Sequence, residues 1–147
     1  MTRRVRTVVV ERVGDGTAVP LPARATRGSA CFDLASAEAV ELRQGRVSLV
    51  GTGLRVRCPE GTFLEVRPRS GLSSRGVMMV NAPGTIDRDY AGEVRIPLTY
   101  LFAGAYPIRA GDRIGQARLV EDLPARFRPG KVGVVPGRSG GFGSTGR

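Results

Sequence analysis

Short apolar runs separated by glycine and proline are the feature that most restricts the fold of this chain. With 21 glycines and 10 prolines, it has no segment typical of a long, capped amphipathic helix. Many short strands joined by such turns predict an all-β sandwich or barrel. The strand-like runs are Val5 to Val13, Val47 to Val50, Leu54 to Cys58, Thr62 to Val66, Val77 to Val80, Glu93 to Leu98 and Arg113 to Val120. The only helical feature that we expect is a brief turn around Ser73 to Arg75.

The length and the glycine content of the C-terminus predict one folded domain and a tail. A chain of 147 residues can bury a core, yet it is small enough for oligomerisation to be favoured. Seven of the last eighteen residues are glycine, so this part cannot bury enough apolar surface to fold alone. We therefore predict a β-domain over residues 1–129 and a flexible arm over residues 130–147.

The chain has no histidine, which removes several classes of enzyme. A Ser-His-Asp triad, a histidine-based zinc site and a zinc deaminase with a histidine ligand are all excluded. A general base must then be a carboxylate or, less favourably, Lys131, the single lysine. Cys31 and Cys58 lack metal-ligand spacing, so we expect two free thiols in a reducing compartment.

The formal charge of +10 comes almost entirely from arginine. The arginines are scattered along the chain and aromatic residues are sparse, so we expect no specific nucleic-acid partner. There is no long apolar run, and the basic start at Met1 to Arg6 lacks the apolar region of a signal peptide. We expect no membrane association and a cytoplasmic location.

The strongest candidate for a functional site is the stretch from Asn81 to Glu93, which reads NAPGTIDRDYAGE. Asn-Ala-Pro-Gly is turn chemistry, and Glu93 to Leu98 alternates like a strand with one buried face. These features predict a hairpin loop that presents Asp87, Asp89 and Tyr90 beside a rigid strand. Taken alone, such an acidic loop is more often an ordinary solvated turn.

Three other segments add chemistry to this loop. Arg69-Ser70-Gly71 offers a guanidinium, a hydroxyl and a bare backbone amide, which together suit phosphate oxygens. The run from Gly28 to Leu34 places Asp33 after a small-residue turn, and the run from Gly137 to Gly146 carries one aromatic ring and one guanidinium.

In this order and spacing, the segments resemble the trimeric deoxyuridine triphosphate nucleotidohydrolases (dUTPases) along almost the whole chain. The resemblance implies a distorted β jelly roll, a homotrimer, and hydrolysis of dUTP to dUMP and pyrophosphate by water attack on the α-phosphorus. Such an activity limits uracil incorporation into DNA and supplies dUMP for thymidylate synthesis. The matching motifs are SACFDLASA at Ser29 to Ala37, PRSGL at Pro68 to Leu72, NAPGTIDRDYAGE, GDRIGQARL at Gly111 to Leu119, and RSGGFGSTG at Arg138 to Gly146.

The resemblance also implies roles for individual residues. Asp87 matches the carboxylate that activates water, and Tyr90 matches the ring that packs on deoxyribose and excludes a 2′-hydroxyl. Asp33 matches an acid that orients the water shell of a Mg²⁺ carried mainly by the triphosphate. Uracil contacts are implied for Asn81, Gly84, Thr85, Ile86 and the main chain near Arg95, and phosphate contacts for Arg69, Ser70, Gly71 and Gln116.

In the arm, the resemblance implies that Phe142 stacks on uracil while Arg138, Gly143, Ser144 and Thr145 close over the nucleotide. Simpler structural roles stay open for several of the matched residues. These are a turn cap at Asp87, a half-buried aromatic at Tyr90, a plain turn residue at Asn81, and structural hydrogen bonding at Gln116 and Asp33.

Two departures from the family pattern stand out. The first motif usually reads Ala-Gly-Tyr-Asp, whereas this chain has Ala-Cys-Phe-Asp ending at Asp33. The family commonly places an arginine five residues before the phenylalanine of the fifth motif, but here Gly137 occupies that position and Arg138 follows. The phosphate role of Arg138 is therefore less well supported than the stacking role of Phe142.

Two alternatives remain at this stage. A dCTP deaminase shares the fold, but the intact Gly-Thr-Ile-Asp-Arg-Asp-Tyr segment matches the hydrolase form. A binding or signalling protein derived from a dUTPase would be a reuse of the fold without its chemistry.

Overall fold

A computed structural model describes residues 5–14 and 19–133, and within them the chain is almost entirely β. The all-β prediction is confirmed. The strands are β1 (Val9–Arg12), β2 (Phe32–Ala35), β3 (Val40–Arg43), β4 (Ser48–Gly51), β5 (Leu54–Arg57), β6 (Thr62–Arg67), β7 (Val77–Met79), β8 (Gly84–Ile86), β9 (Arg95–Tyr100), β10 (Ala105–Ile108) and β11 (Arg113–Glu121). The described helix, α1 (Ser70–Ser73), has four residues, and no helix in these ranges is long and apolar enough to cross a membrane.

Every predicted strand-like run overlaps an observed strand, but four strands were missed: β2, β3, β8 and β10. β8 is three residues long and lies inside a segment dominated by turn chemistry. β10 contains Pro107 and pairs only with β3, as an edge strand can. The predicted helical turn at Ser73 to Arg75 is displaced, since α1 begins at Ser70.

The strands form four hydrogen-bonded sheets around one apolar core. Two are larger, with orders β2-β11-β6-β8 and β4-β9-β7, and two are pairs, β1-β5 and β10-β3. The core side chains come from strands of all four sheets, so the sheets pack on each other through one cluster. The fully buried members of that cluster include Leu34, Leu42, Val50, Ile96 and Ile114.

The predicted hairpin between residues 81 and 98 is wrong in its pairing. β8 pairs with β6, whereas β9 pairs with β4 and β7, so residues 87–94 connect two different sheets. Pro97 explains where β7 stops. The Val80 N–H donates to the Pro97 carbonyl at 3.0 Å, but proline has no N–H with which to complete the pair. The ladder therefore ends at Met79, and the chain leaves toward β8.

The thiols agree with the sequence prediction. Cys31 is half-buried and Cys58 is buried, and both are free. Burial raises the pKa of the Cys58 thiol above its usual range, which keeps it protonated and unreactive.

The outer face of the β2-β11-β6-β8 sheet carries an ion-pair network centred on Glu65. Its half-buried carboxylate, 14% exposed, accepts hydrogen bonds from Arg67 on the same strand and from Arg118 on β11. The Arg67 hydrogen bond, supported by Arg118, holds the pKa of Glu65 below its ordinary value of 4.5. The network thus ties β6 to β11 across the middle of the sheet.

Replacing Gly115 with alanine should destabilise the core. A Cβ there would lie 2.6 Å from Cδ1 of Ile96, which is completely buried and surrounded by other core side chains. We expect a loss of about 1–3 kcal/mol in the free energy of unfolding, measured by denaturant titration. Gly28→Ala is the control, because a Cβ at Gly28 meets nothing within 4 Å. Equal effects of the two substitutions would contradict this packing.

The Glu65 network should make stability depend on pH in acid. The folded-state pKa lies below 4.5, so the contribution of this carboxylate is complete above that pH and is lost as the pH falls through the folded-state pKa. The melting temperature of Glu65→Gln should therefore decline less steeply below about pH 4.5 than that of the wild type. Glu41→Gln, which removes an exposed carboxylate paired with Arg43, serves as the control. Identical acid limbs for wild type and Glu65→Gln would rule the effect out.

Candidate active site

Asp33 on β2 holds two arginines that come from distant parts of the chain. Its Oδ1 accepts from Nε of Arg69 at 3.0 Å, and its Oδ2 accepts from Nη1 of Arg113 at 3.1 Å. Arg69 also donates from Nη1 to the carbonyl of Arg113 at 3.2 Å. The carboxylate is 17% exposed and the two guanidiniums 25% and 54%, so a partly buried anion presents two cations to solvent.

Asp33 and Arg69 line a cleft of about 290 Å³, which we call the Asp33 cleft. It brings together the matched residues of the first, second and fourth motifs, as the sequence predicted. β11 lies between β2 and β6, and Gln116 stands opposite Asp33 on one side and Arg67 on the other. The lining residues are Ala25, Ser29, Ala30, Cys31, Asp33, Arg69, Ser70, Gly71 and Gln116.

Ser70 and Gly71 stand exposed at this cleft, at the start of α1. A Cβ at Gly71 would meet nothing within 4 Å, so there is space beside its backbone for a ligand. The Gln116 side chain instead donates to the Pro68 carbonyl at 2.9 Å and thereby fixes the approach to Arg69. That bond is structural, and a phosphate contact by Gln116 stays a prediction.

A second surface is formed by the turn from Asp87 to Tyr90. The Tyr90 N–H closes the turn on the Asp87 carbonyl at 3.1 Å, and the Tyr90 hydroxyl donates to the Glu93 carbonyl at 3.1 Å. Gly92 gives the phenol room, because a Cβ there would lie 2.6 Å from Cζ of Tyr90. This turn borders a groove of about 1150 Å³, the Asp87 groove. The groove is lined by Val9, Glu11, Arg55, Val56, Arg57, Gly61, Thr62, Phe63, Thr85, Asp87, Arg88, Asp89, Tyr90, Ala91 and Asp122.

Glu93 anchors the turn to the rest of the fold. Its carboxylate accepts from the Gly53 N–H at 2.8 Å and from Nε of Arg95 at 2.9 Å. The Arg95 side chain is therefore engaged with Glu93. The loop is held by the Tyr90 hydroxyl and by the Glu93 side chain, so it presents Asp87 and Tyr90 in fixed positions.

The predicted uracil-binding residues cluster around β8. Gly84 is buried beside Asn81, and a Cβ on it would lie 3.3 Å from the Asn81 amide nitrogen and 3.0 Å from Cε of Met79. Thr85 is exposed and Ile86 is half-buried, with Thr85 paired to Glu65 and Ile86 to Leu64. A side chain at position 84 would therefore have to displace the ends of the Met79 and Asn81 side chains.

The two surfaces lie at opposite ends of β6. Asp87 follows Ile86, whose partner Leu64 is near the start of β6, whereas Arg69 lies beyond its end. At about 3.3 Å per strand residue, the five residues from Leu64 to Arg69 extend roughly 16 Å. Asp87 and Ser70 of one chain are therefore too far apart to contact the same few atoms of a ligand.

Three contributors were not identified from the sequence. Arg113 lies inside the fourth motif, and Glu93 ends the third, so both were within recognised segments but had no assigned role. Glu65 offered no signal beyond alternation along β6. The predicted arm residues Arg138, Phe142, Gly143, Ser144 and Thr145 lie outside the described residues.

Within the described ranges, no group of three acidic, histidine or cysteine side chains could hold a metal ion. The Asp33 oxygens are already bound by guanidiniums. These residues do not fit a metal held by protein carboxylates, but they do fit a cleft that receives a polyanion with its own cation.

The comparisons with known proteins agree with this geometry. The dUTPase family model matches residues 17–146. A deoxyuridine 5'-triphosphate nucleotidohydrolase of Anaeromyxobacter sp. (strain Fw109-5) is 46% identical over 153 aligned positions, covering 96% of this chain and 98% of the relative.

Two solved structures share the fold. A variant dUTPase of Staphylococcus bacteriophage 80alpha, solved with dUpNHpp, superposes with a TM-score of 0.80 at 24% identity, covering 97% of this chain and 99% of that one. A variant dUTPase of phage phi11 of S. aureus, in which a structural Mg(II) ion is coordinated, gives a TM-score of 0.76 at 22% identity, covering 86% and 97%. The predicted jelly roll is confirmed, and the chain belongs to the dUTPase family.

Proposed function

We propose that this protein hydrolyses dUTP to dUMP and pyrophosphate by water attack on the α-phosphorus. Family membership supports the substrate, and the observation that carries the chemistry is the pair of surfaces just described. One presents a guanidinium, a hydroxyl and an open backbone, and the other presents a carboxylate and a phenol on a fixed turn. The activity would limit uracil in DNA and supply dUMP, in the cytoplasm.

On the phosphate side, Arg69, Ser70, Gly71 and Gln116 would bind the triphosphate. The Arg69 guanidinium, held by Asp33, is oriented to pair with phosphate oxygens. The Ser70 hydroxyl and the Gly71 backbone would stabilise negative charge that develops on the phosphoryl oxygens as the α–β bridge breaks.

On the nucleoside side, the loop from Asn81 to Ile86 would pair with the polar edge of uracil, with Arg95 contributing through its main chain. A pocket that satisfies each edge atom of uracil leaves groups unpaired when cytosine enters, and this penalty gives base specificity. The Tyr90 ring would pack on the deoxyribose, where its fixed hydroxyl keeps the ring close enough to exclude a 2′-hydroxyl.

Asp87 would act as the general base. Its exposed carboxylate would accept a proton from water as the oxygen attacks the α-phosphorus, and the P–O bond to the β-phosphate would break. Pyrophosphate would leave with part of its charge neutralised by Arg69 of the Asp33 cleft.

We further propose a homotrimer, in which one copy supplies the Asp33 cleft and another the Asp87 groove. The roughly 16 Å that separates the two surfaces within one chain supports this arrangement, because both must reach one α-phosphorus. A closed ring repeats the same contact at every interface and so completes every site.

Exposed apolar surface supports assembly. On and beside the β4-β9-β7 sheet, Val47, Leu49, Met78 and Val80 are each between 43% and 60% exposed. Such contiguous apolar surface is typical of protein–protein contacts. Residues 122–133, which have no strand or helix, also expose Leu123, Phe127 and Val132.

In the arm, Phe142 would stack on uracil, and Arg138, Gly143, Ser144 and Thr145 would close over the phosphates. Closure would exclude water other than the nucleophile and fix a reactive geometry. These roles rest on the motif alone, and Arg138 is one position from the usual place.

Mg²⁺ is proposed as the cofactor, bound mainly by the triphosphate, as is usual for Mg²⁺ with phosphate substrates. The phi11 relative also coordinates Mg(II), as a structural ion. When bound, it would neutralise part of the phosphate charge. Each oxygen of Asp33 can accept more than one hydrogen bond, so Asp33 can hold its arginines and still accept from a metal-bound water.

Asp87→Asn should remove most turnover while leaving nucleotide binding nearly intact. Loss of a positioned general base costs on the order of 10² to 10⁴ in rate. Pyrophosphate release from dUTP measures the effect, with Asp89→Asn as the matched control in the same turn. If Asp89→Asn were the inactive variant and Asp87→Asn retained turnover within about threefold of wild type, the base would have to be reassigned. Ammonia release from dCTP would indicate a deaminase instead.

Mixing two inactive chains should restore activity if each site draws on two copies. Arg69→Ala inactivates the Asp33 cleft and Asp87→Asn inactivates the Asp87 groove. In a mixed assembly, some sites therefore combine the intact cleft of an Asp87→Asn copy with the intact groove of an Arg69→Ala copy. Random 1:1 assembly should recover about a quarter of wild-type turnover, since each surface is intact in half of the copies. Sedimentation should show a trimer. A monomer, or mixtures as inactive as the separate variants, would refute the shared site.

A further inference from the structure

Asp33 and Arg113 form a feature that the residue roles above do not explain. We infer that Asp33 is a positioning residue that holds Arg69 and Arg113 side by side, and that Arg113 is a second guanidinium for the substrate's phosphates. The inference rests on the proposed function and deepens it.

A bulge in β11 places Arg113 on the same face of the sheet as Asp33. The register with β2 pairs Gln116 with Asp33, Gly115 with Leu34, and Arg113 with Ala35, so one extra residue, Ile114, lies between. If β11 instead kept regular register, with Ile114 opposite Ala35, strand alternation would turn Arg113 to the opposite, core-facing side. Ile114 is instead buried, and Arg113 shares the outer face with Asp33 and Gln116.

Charge balance leaves this cluster able to bind an anion. Two guanidiniums share one carboxylate, so the group keeps a net positive charge. A guanidinium has five N–H donors, and the described contacts use two of those on Arg69 and one on Arg113. Arg113 pairs with no other acid in the part of the chain described, and its side chain is 54% exposed beside Asp33, which lines the cleft.

Asp33 makes the arrangement possible. Two neighbouring guanidiniums repel each other, and a carboxylate between them cancels that repulsion while fixing both planes. Asp33 is itself fixed, because its N–H donates to the Ala23 carbonyl at 2.8 Å. Both arginines are thereby oriented before the substrate arrives, which lowers the entropy cost of binding.

The test is the affinity of dUpNHpp, a non-hydrolysable analogue, measured by titration calorimetry with Mg²⁺ and again in EDTA. Arg113→Gln should weaken binding about tenfold, in the lower range for hydrogen bonds to charged groups. Arg113→Lys, which keeps the charge but not the fork, should recover only part of the loss. Arg43→Gln is the control, because Arg43 is 57% exposed and paired with Glu41 on another sheet.

Asp33→Asn should weaken binding in EDTA as well as in Mg²⁺, and in EDTA adding Arg113→Gln should cost little more, since the two residues act as one unit. Arg113→Gln behaving like Arg43→Gln would overturn the inference while wild-type turnover of dUTP still upheld the proposed function. A loss in Asp33→Asn confined to the Mg²⁺ solution would also overturn it, in favour of a metal-water role. If Asp33→Asn does not fold, the binding of dUpNHpp to the Arg113→Gln and Arg113→Lys variants alone tests the inference. A wild type that neither binds the analogue nor turns over dUTP would refute the proposed function itself.

Discussion

The pairing of β6 with β11 on one side and β8 on the other sets the position of every group at the candidate site. Its β11 neighbour also pairs with β2, which brings Asp33, Gln116 and the segment after β6 to one end of the sheet. Its β8 neighbour carries Thr85 and leads into Asp87 at the other end. The length of β6, a six-residue strand, therefore separates the Asp33 cleft from the Asp87 groove.

A recurring device on this histidine-free surface is the half-buried carboxylate that orients arginine. Asp33, Glu65 and Glu93 are 17%, 14% and 18% exposed, and each accepts from at least one guanidinium. Such pairs at a surface add little stability because solvent screens them and the side chains lose entropy. Their effect is geometric, because each carboxylate fixes the direction of a long, flexible arginine. Asp33 does so at the cleft, Glu65 across the sheet, and Glu93 behind the turn that presents Tyr90.

The sequence predicted the parts of this molecule that depend on local pattern. Alternation located seven strands, and turn chemistry with motif spacing located the residues of both surfaces. It could not predict that β8 pairs with β6 and not with β9, because pairing depends on partners distant in the chain. Pro97 carried a local signal only for the end of β7, since a strand neighbour that lacks an N–H ends the ladder. Arg113 was overlooked because its direction depends on a bulge, and neither composition nor alternation reveals one.

The proposed division of the site between copies would link assembly to chemistry. Neither surface alone satisfies what in-line hydrolysis requires, because the carboxylate and the phosphate-binding groups must meet at one phosphorus. A dissociated chain would keep its fold, since the core lies between its own sheets, but under this proposal it would carry the Asp33 cleft and the Asp87 groove too far apart to act on one nucleotide. Free subunits would then be inactive. The proposed base recognition at β8 and phosphate binding beside Asp33 would act together only where two copies meet, so specificity would be a property of the assembled ring.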